Sequence, residues 1–242
     1  MLRFSDARNF GRTATGIALV VGPVLFLISS IVQPNTDHKD KLRELAAVSA
    51  HKGTYFLSGI LFLVAAAVLM FAAFGLVKLF RGPRGVTAGQ VAGFLLMLGS
   101  AVTFGWYALG AIEYEMVNQK GVNRAAMAQF LHKADNTSSL LPLILAFLIG
   151  TVLGLVLLGI AAWRTGLVPR WTAILLIVSG PFGFFANGRA ASIVQNAVML
   201  IALGMLSRSI LSMSDEEWDS PRERASAPPA DAPAAPAPAP AM

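Results

Sequence analysis

Six stretches of this chain run for 18 to 28 residues without one Asp, Glu, Lys or Arg: 13–36, 53–77, 85–112, 136–163, 171–188 and 190–207. A helix crosses a hydrocarbon layer about 30 Å thick with about 20 apolar residues, and it satisfies its own backbone while doing so. The composition points the same way. Of the 242 residues, 55% are hydrophobic and 13% charged, against roughly 25% charged in soluble domains. A soluble globular protein is excluded, because the remaining polar residues would not cover an apolar core of that size. The expected fold is all-α: a polytopic membrane bundle of six transmembrane helices over residues 13–34, 54–78, 87–112, 138–163, 171–187 and 190–207. The last two runs are read as separate helices, since Ser179-Gly180-Pro181 and Ala186-Asn187-Gly188-Arg189 are breaker signals. A single long helix would also hold Arg189 at mid-membrane.

Orientation follows from the basic residues in the loops. With six crossings, the side holding residues 1–12 carries eleven Lys and Arg and the opposite side eight. The short loops Lys78–Arg84 and Arg164–Arg170 hold basic residues and no acids, which is where the rule has most force. Both termini are therefore expected in the cytoplasm, with the net charge of +6 read as topology and contact with anionic lipid. No contiguous basic and aromatic face suggests nucleic acid.

The segments between spans carry structure of their own. Two short outer surface helices are expected. One has Asp37 as N-cap and Leu42, Leu45, Ala46 and Ser49 along a stripe; the other has Asn123 as cap and Met127, Phe130, Leu131 and Ala134 at helical spacing. After the last span, residues 208–220 hold Ser214-Asp215-Glu216-Glu217, the capping-box spacing for a short helix containing Trp218. From residue 221 to 242 the chain has seven of its 13 prolines interleaved with alanine, the composition of a disordered tail.

Packing signals explain most of the small residues. Gly89 with Gly93, and Gly150 with Gly154, are small-xxx-small pairs that let helix backbones approach. Gly89, Gly93, Ser100, Thr103, Tyr107, Gly110 and Tyr114 share one face of the third span, which should point into the bundle. Pro23, Pro142 and Pro181 fall within spans, where a static kink is the default.

The most expensive polar groups near the membrane are Arg189, Gln195 and Asn196. Glu113 and Glu115 end the third span on the same side, so an outer-leaflet pocket of Glu113, Glu115, Arg189, Gln195 and Asn196 is the candidate binding site. Snorkelling of Arg189 and helix-tying by the two amides are the structural alternative. A metal site is not expected. His51 and His132 with Glu113 are a weak alternative, because no His-x-x-x-His or His-Glu-x-x-His pair puts two ligands on one helical face. Phosphate-loop, nucleophile-elbow and dinucleotide motifs are absent, the chain has no cysteine, and no cofactor is expected.

The six-span layout, the loop from Trp163-Arg164 to Pro169-Arg170-Trp171, and Met213-Ser214-Asp215-Glu216-Glu217-Trp218 resemble a group of small bacterial integral membrane proteins of unknown function. The resemblance covers roughly residues 11–218. It implies the bacterial plasma membrane and transfers no catalytic residue. Three functional readings remain: a non-enzymatic interaction or scaffold protein whose partners are the bilayer and a membrane protein or second copy; a carrier of a small polar solute or ion; and an outward-facing metal-dependent enzyme.

Overall fold

The computed structural model describes residues 6–36, 40–80, 86–121, 123–135, 138–185 and 188–219. The tail from residue 221 and the proposed cap Asp37 lie outside them. Among the described residues the chain is helical without strands. Its helices are α1 (Ala7–Val32), α2 (Lys41–Ala50), α3 (Lys52–Leu79), α4 (Val86–Asn118), α5 (Arg124–Asp135), α6 (Leu141–Arg164), α7 (Arg170–Phe185), α8 (Arg189–Leu211) and α9 (Asp215–Asp219). Five of them, α1, α3, α4, α6 and α8, are long and apolar enough to cross a membrane. With 16 residues, α7 measures about 24 Å and falls short of a full hydrocarbon layer.

Local chemistry sets the ends. The Asp6 carboxylate accepts from the Arg8 amide at 2.9 Å, so α1 begins well ahead of the uncharged run and carries Arg8 and Arg12 on its first turns. The cap of α2 is Asp40, which accepts from Leu42 and Arg43 amides. This corrects the expectation of Asp37, and the buried stripe shifts with it: Leu45 and Val48 are buried, whereas Leu42 and Ala46 are exposed. Asn123 caps α5 through the amides of Ala125 and Ala126. Ser214 and Glu217 bond reciprocally at 3.0 and 3.1 Å, a capping box that starts α9 and places Trp218 in the core. Pro142 sits in the first turn of α6, where a missing amide hydrogen leaves no bond unmade. One wide π turn, Leu148–Leu153, interrupts α6.

Each long helix packs antiparallel on the next, and the last returns to the first, so α1, α3, α4, α6, α7 and α8 form a closed ring. The seam between α1 and α8 is tied along its length. Ser207 donates to the Gly16 carbonyl at 2.6 Å, Asn196 to Ser30 Oγ at 2.7 Å, and Arg189 to the Ile31 carbonyl. At its far end Arg12 pairs with Asp215 at 3.0 Å. Ser29 ties α1 to α3 through the Ser58 carbonyl. Small residues set the other contacts. Gly89 lies against the Phe80 ring, Gly93 against Val77 and the Ala73 carbonyl, Gly154 against Leu96, and Gly150 against the backbone of Gly99. Around the outside the ring presents Phe74, Phe94, Ile174 and Ile201, each more than half exposed, the surface lipid requires.

Packing is uneven along the ring. The main core, with Leu19, Leu76, Leu158, Leu176, Leu206 and Ile210 nearly inaccessible, fills the half that holds the chain ends. At the other end α2 and α5 pack on each other and on the end of α4 through Leu45, Val48, Leu131 and Val117. Between these two cores the ring is hollow.

Candidate functional site

The hollow half contains two adjoining cavities. The inner chamber is about 200 Å³ and is walled by α1, α3, α4, α6 and α8. Its apolar lining includes Phe26, Phe62, Phe147 and Leu69, and Phe26 and Phe62 meet edge to face at 4.9 Å. Its polar lining is neutral: Ser29, Ser30 and Gln33 from α1, Ser100 and Thr103 from α4, Thr151 from the π turn, and Ser192, Gln195 and Asn196 from α8. Several of these groups are engaged: Ser29 donates to Ser58, Asn196 to Ser30, and Thr103 to its own helix at the Gly99 carbonyl. The side chains of Ser100, Thr151 and Gln195 make no hydrogen bond with other described residues. These three side chains are half-buried and open onto the cavity. A chamber of this lining therefore favours an occupant that hydrogen-bonds.

The outer vestibule, about 230 Å³, lies between α1, α3 and α4 and shares Ser29, Gln33 and Phe62 with the chamber. Aromatic side chains dominate it. Phe56 and Tyr114 stack at a tilt with centroids 5.2 Å apart, and Tyr55, Trp106 and Tyr107 complete the lining. The Tyr55 hydroxyl donates to Glu113 Oε2 at 2.8 Å, and Glu115 stands at the rim. Because α4 runs to Asn118, beyond the span expected to stop near residue 112, both glutamates are carried on rigid helix.

The five candidate site residues are placed as follows. Gln195 and Asn196 line the chamber, Glu115 lines the vestibule, and Glu113 is held by Tyr55 beside it. Arg189 lines neither cavity: it is exposed and bonded to the Ile31 carbonyl, and it pairs with neither glutamate. His51 and His132 are exposed, and no group of three or more metal-ligating side chains exists among the described residues. The stripe on α4 was visible as a periodic pattern, and its Ser100 and Thr103 face the chamber while Tyr107, Gly110 and Tyr114 face the vestibule. Ser29 with Gln33, and Ser192 with Gln195 and Asn196, do share helix faces at a spacing of three or four, a signal that went unread, whereas Tyr55 and Thr151 gave no periodic pattern.

No curated protein and no solved structure matches the chain. One family model does match, over residues 14–212, a stretch that takes in the helix ring from the second turn of α1 onward and both cavities. By that match the chain belongs to DUF4386, a family defined by a domain of unknown function.

Proposed function

We propose that this protein crosses the plasma membrane six times and binds a small polar solute within the hollow outer half of its helix ring, as a carrier does. The observation that carries this reading is the neutral, hydrogen-bonding chamber at membrane depth, in which Ser100, Thr151 and Gln195 make no side-chain hydrogen bond among the described residues. A purely structural membrane protein gains nothing from such a void, because unfilled space forfeits packing contacts. The chamber exceeds the roughly 150 Å³ apolar cavity that admits benzene.

The sixth crossing is α7, despite its length. Arg12 and Asp215 are in contact, so the start of α1 and the end of α8 share one face. An odd number of crossings would put them on opposite faces. A short span is accommodated by local thinning of the bilayer. The basic short loops favour the cytoplasm for that face, which sets α2 and α5 on the outer headgroups. The absence of native cysteine makes this testable with single-cysteine variants and an impermeant maleimide. Lys120→Cys is expected to label in intact cells and Ser212→Cys only after permeabilisation; labelling of both from outside would overturn the six-crossing arrangement.

The binding reading is tested by thermal unfolding of the whole protein in nanodiscs against a panel of small polar solutes and ions. A solute at 100 times its dissociation constant stabilises by about 2.7 kcal/mol. Gln195→Leu is expected to abolish that shift while lowering unliganded stability by less than about 1.5 kcal/mol, because the Gln195 side chain packs on Gly183 and a leucine of similar size keeps that contact. Absence of any shift across the panel would sink the carrier reading.

A further inference from the structure

We propose that the outer vestibule is a site for a methylated ammonium cation, a deepening that rests on the solute-binding reading above. Six aromatic side chains, Tyr55, Phe56, Phe62, Trp106, Tyr107 and Tyr114, line one concavity. Aromatic faces carry the negative lobe of the ring quadrupole and attract cations, Trp most strongly. Two carboxylates add to this field. Glu115 is part of the lining, and Glu113 receives the Tyr55 hydrogen bond, which draws electron density onto that ring. Among the described residues no Lys or Arg is in the lining to oppose them.

The chemistry selects among cations. A small inorganic ion holds its water tightly and gains little from ring faces. A primary ammonium is a strongly hydrated point charge that must exchange its water for acceptors such as Glu115, Ser29 and Gln33 and gains less from the ring faces that make up most of the wall. A trimethylammonium group donates no hydrogen bond, is weakly hydrated and presents its charge through methyl groups, which ring faces match. An aromatic belt at a membrane interface faces lipid, whereas here Tyr55, Phe62 and Tyr107 are half-buried around a cavity with Ser29 and Gln33 at its base. Because those two residues also line the chamber, a polar arm on the cation would reach inward. A free quaternary ammonium solute and the choline headgroup of an outer-leaflet lipid share this chemistry.

The test uses the full chain in nanodiscs of phosphatidylglycerol and phosphatidylethanolamine, titrated with tetramethylammonium, with choline and with 3,3-dimethylbutan-1-ol, the uncharged isostere of choline. Thermal unfolding is the readout. Saturable stabilisation by both cations, with the alcohol roughly tenfold weaker or worse, is expected. Trp106→Leu should weaken the cations about tenfold. Glu115→Gln, an exposed position whose change leaves the fold intact, should weaken them about threefold. Gln195→Leu should leave tetramethylammonium unaffected, since it has no polar arm. Stabilisation only when phosphatidylcholine is added to the discs, lost with Trp106→Leu, assigns the same site to the lipid headgroup. Equal binding of choline and its uncharged isostere overturns the cation assignment and leaves the solute-binding reading standing. No response to the cations or to phosphatidylcholine, with other solutes still acting through Gln195, overturns this inference alone; no response to any solute removes both.

Discussion

Gly150→Ala is expected to destabilise the folded protein by about 3 kcal/mol, the upper end of what overpacking costs. The reason is what the new methyl group meets. A β-carbon on Gly150 would lie 2.6 Å from Gly99 Cα and 2.9 Å from the Leu95 carbonyl oxygen, and one on Gly99 would lie 2.8 Å from the Thr151 amide nitrogen. These are backbone atoms on facing helices, so no side-chain rotation relieves the clash and α4 must part from α6. The damage also reaches the chamber, since Gly99 and Thr151 line it. Gly204→Ala is the control: nothing lies within 4 Å of its β-position, and alanine in a helix is favoured over glycine by about 0.5–1 kcal/mol. Reversible unfolding of both variants in detergent decides the matter. If Gly150→Ala falls within about 0.5 kcal/mol of the control, the close helix contact is not what holds α4 to α6.

Arg12→Leu is expected to cost about 3 kcal/mol as well, through a different mechanism. Arg12 donates to the Leu211 carbonyl at 2.9 Å and to the Met213 carbonyl, and its Nε lies 3.0 Å from Asp215, close but poorly aligned for a hydrogen bond. The side chain is 14% exposed, so water only partly replaces what is lost. Two carbonyls at the negative end of α8 would lose a cationic donor together. Arg12→Lys should recover less than half of the loss, because a single ammonium does not span the two carbonyls and the carboxylate. Asp215→Asn should cost about 1 kcal/mol, since the contacts of Arg12 with the carbonyls survive it. Full stability of Arg12→Leu in the same unfolding measurement would contradict the tie between the chain ends.

Much of the fold was legible because lipid makes one demand of every residue at once. Uncharged runs located the long helices, whereas of the glycine pairs Gly150 meets a facing backbone and Gly89 meets the Phe80 side chain. The legible part ends where a residue answers to a partner far along the chain. Asp6 starts α1 ahead of the uncharged run because it caps two amides, which hydropathy does not register. The π turn at Leu148–Leu153 coincides with the close contact of Gly150 and Gly99, a property of two helices together. Arg189 looked like a site residue because its charge is expensive, yet a backbone carbonyl at the end of α1 meets the need. The vestibule was half visible: Tyr107 and Tyr114 appeared on a stripe of α4, while Tyr55, Phe56 and Phe62 come from α3, and only helix adjacency brings the two sets together.

A ring closed between its first and last long helices also fixes an order of assembly. Chains enter the membrane from the N-terminus as they are synthesised, so α1 arrives with its α8-facing side bare. Until residues 189–211 follow, the Ser30 hydroxyl and the Gly16 carbonyl lack the Asn196 and Ser207 that bond them. Pairing between such distant segments is slow, because the intervening chain must be ordered before the contact gives any return. The nascent protein thus holds a polar flank open to lipid through most of its synthesis. A ribosome stalled before α8 would leave a chain with nearly all of its hydrophobic helices and no way to seal them.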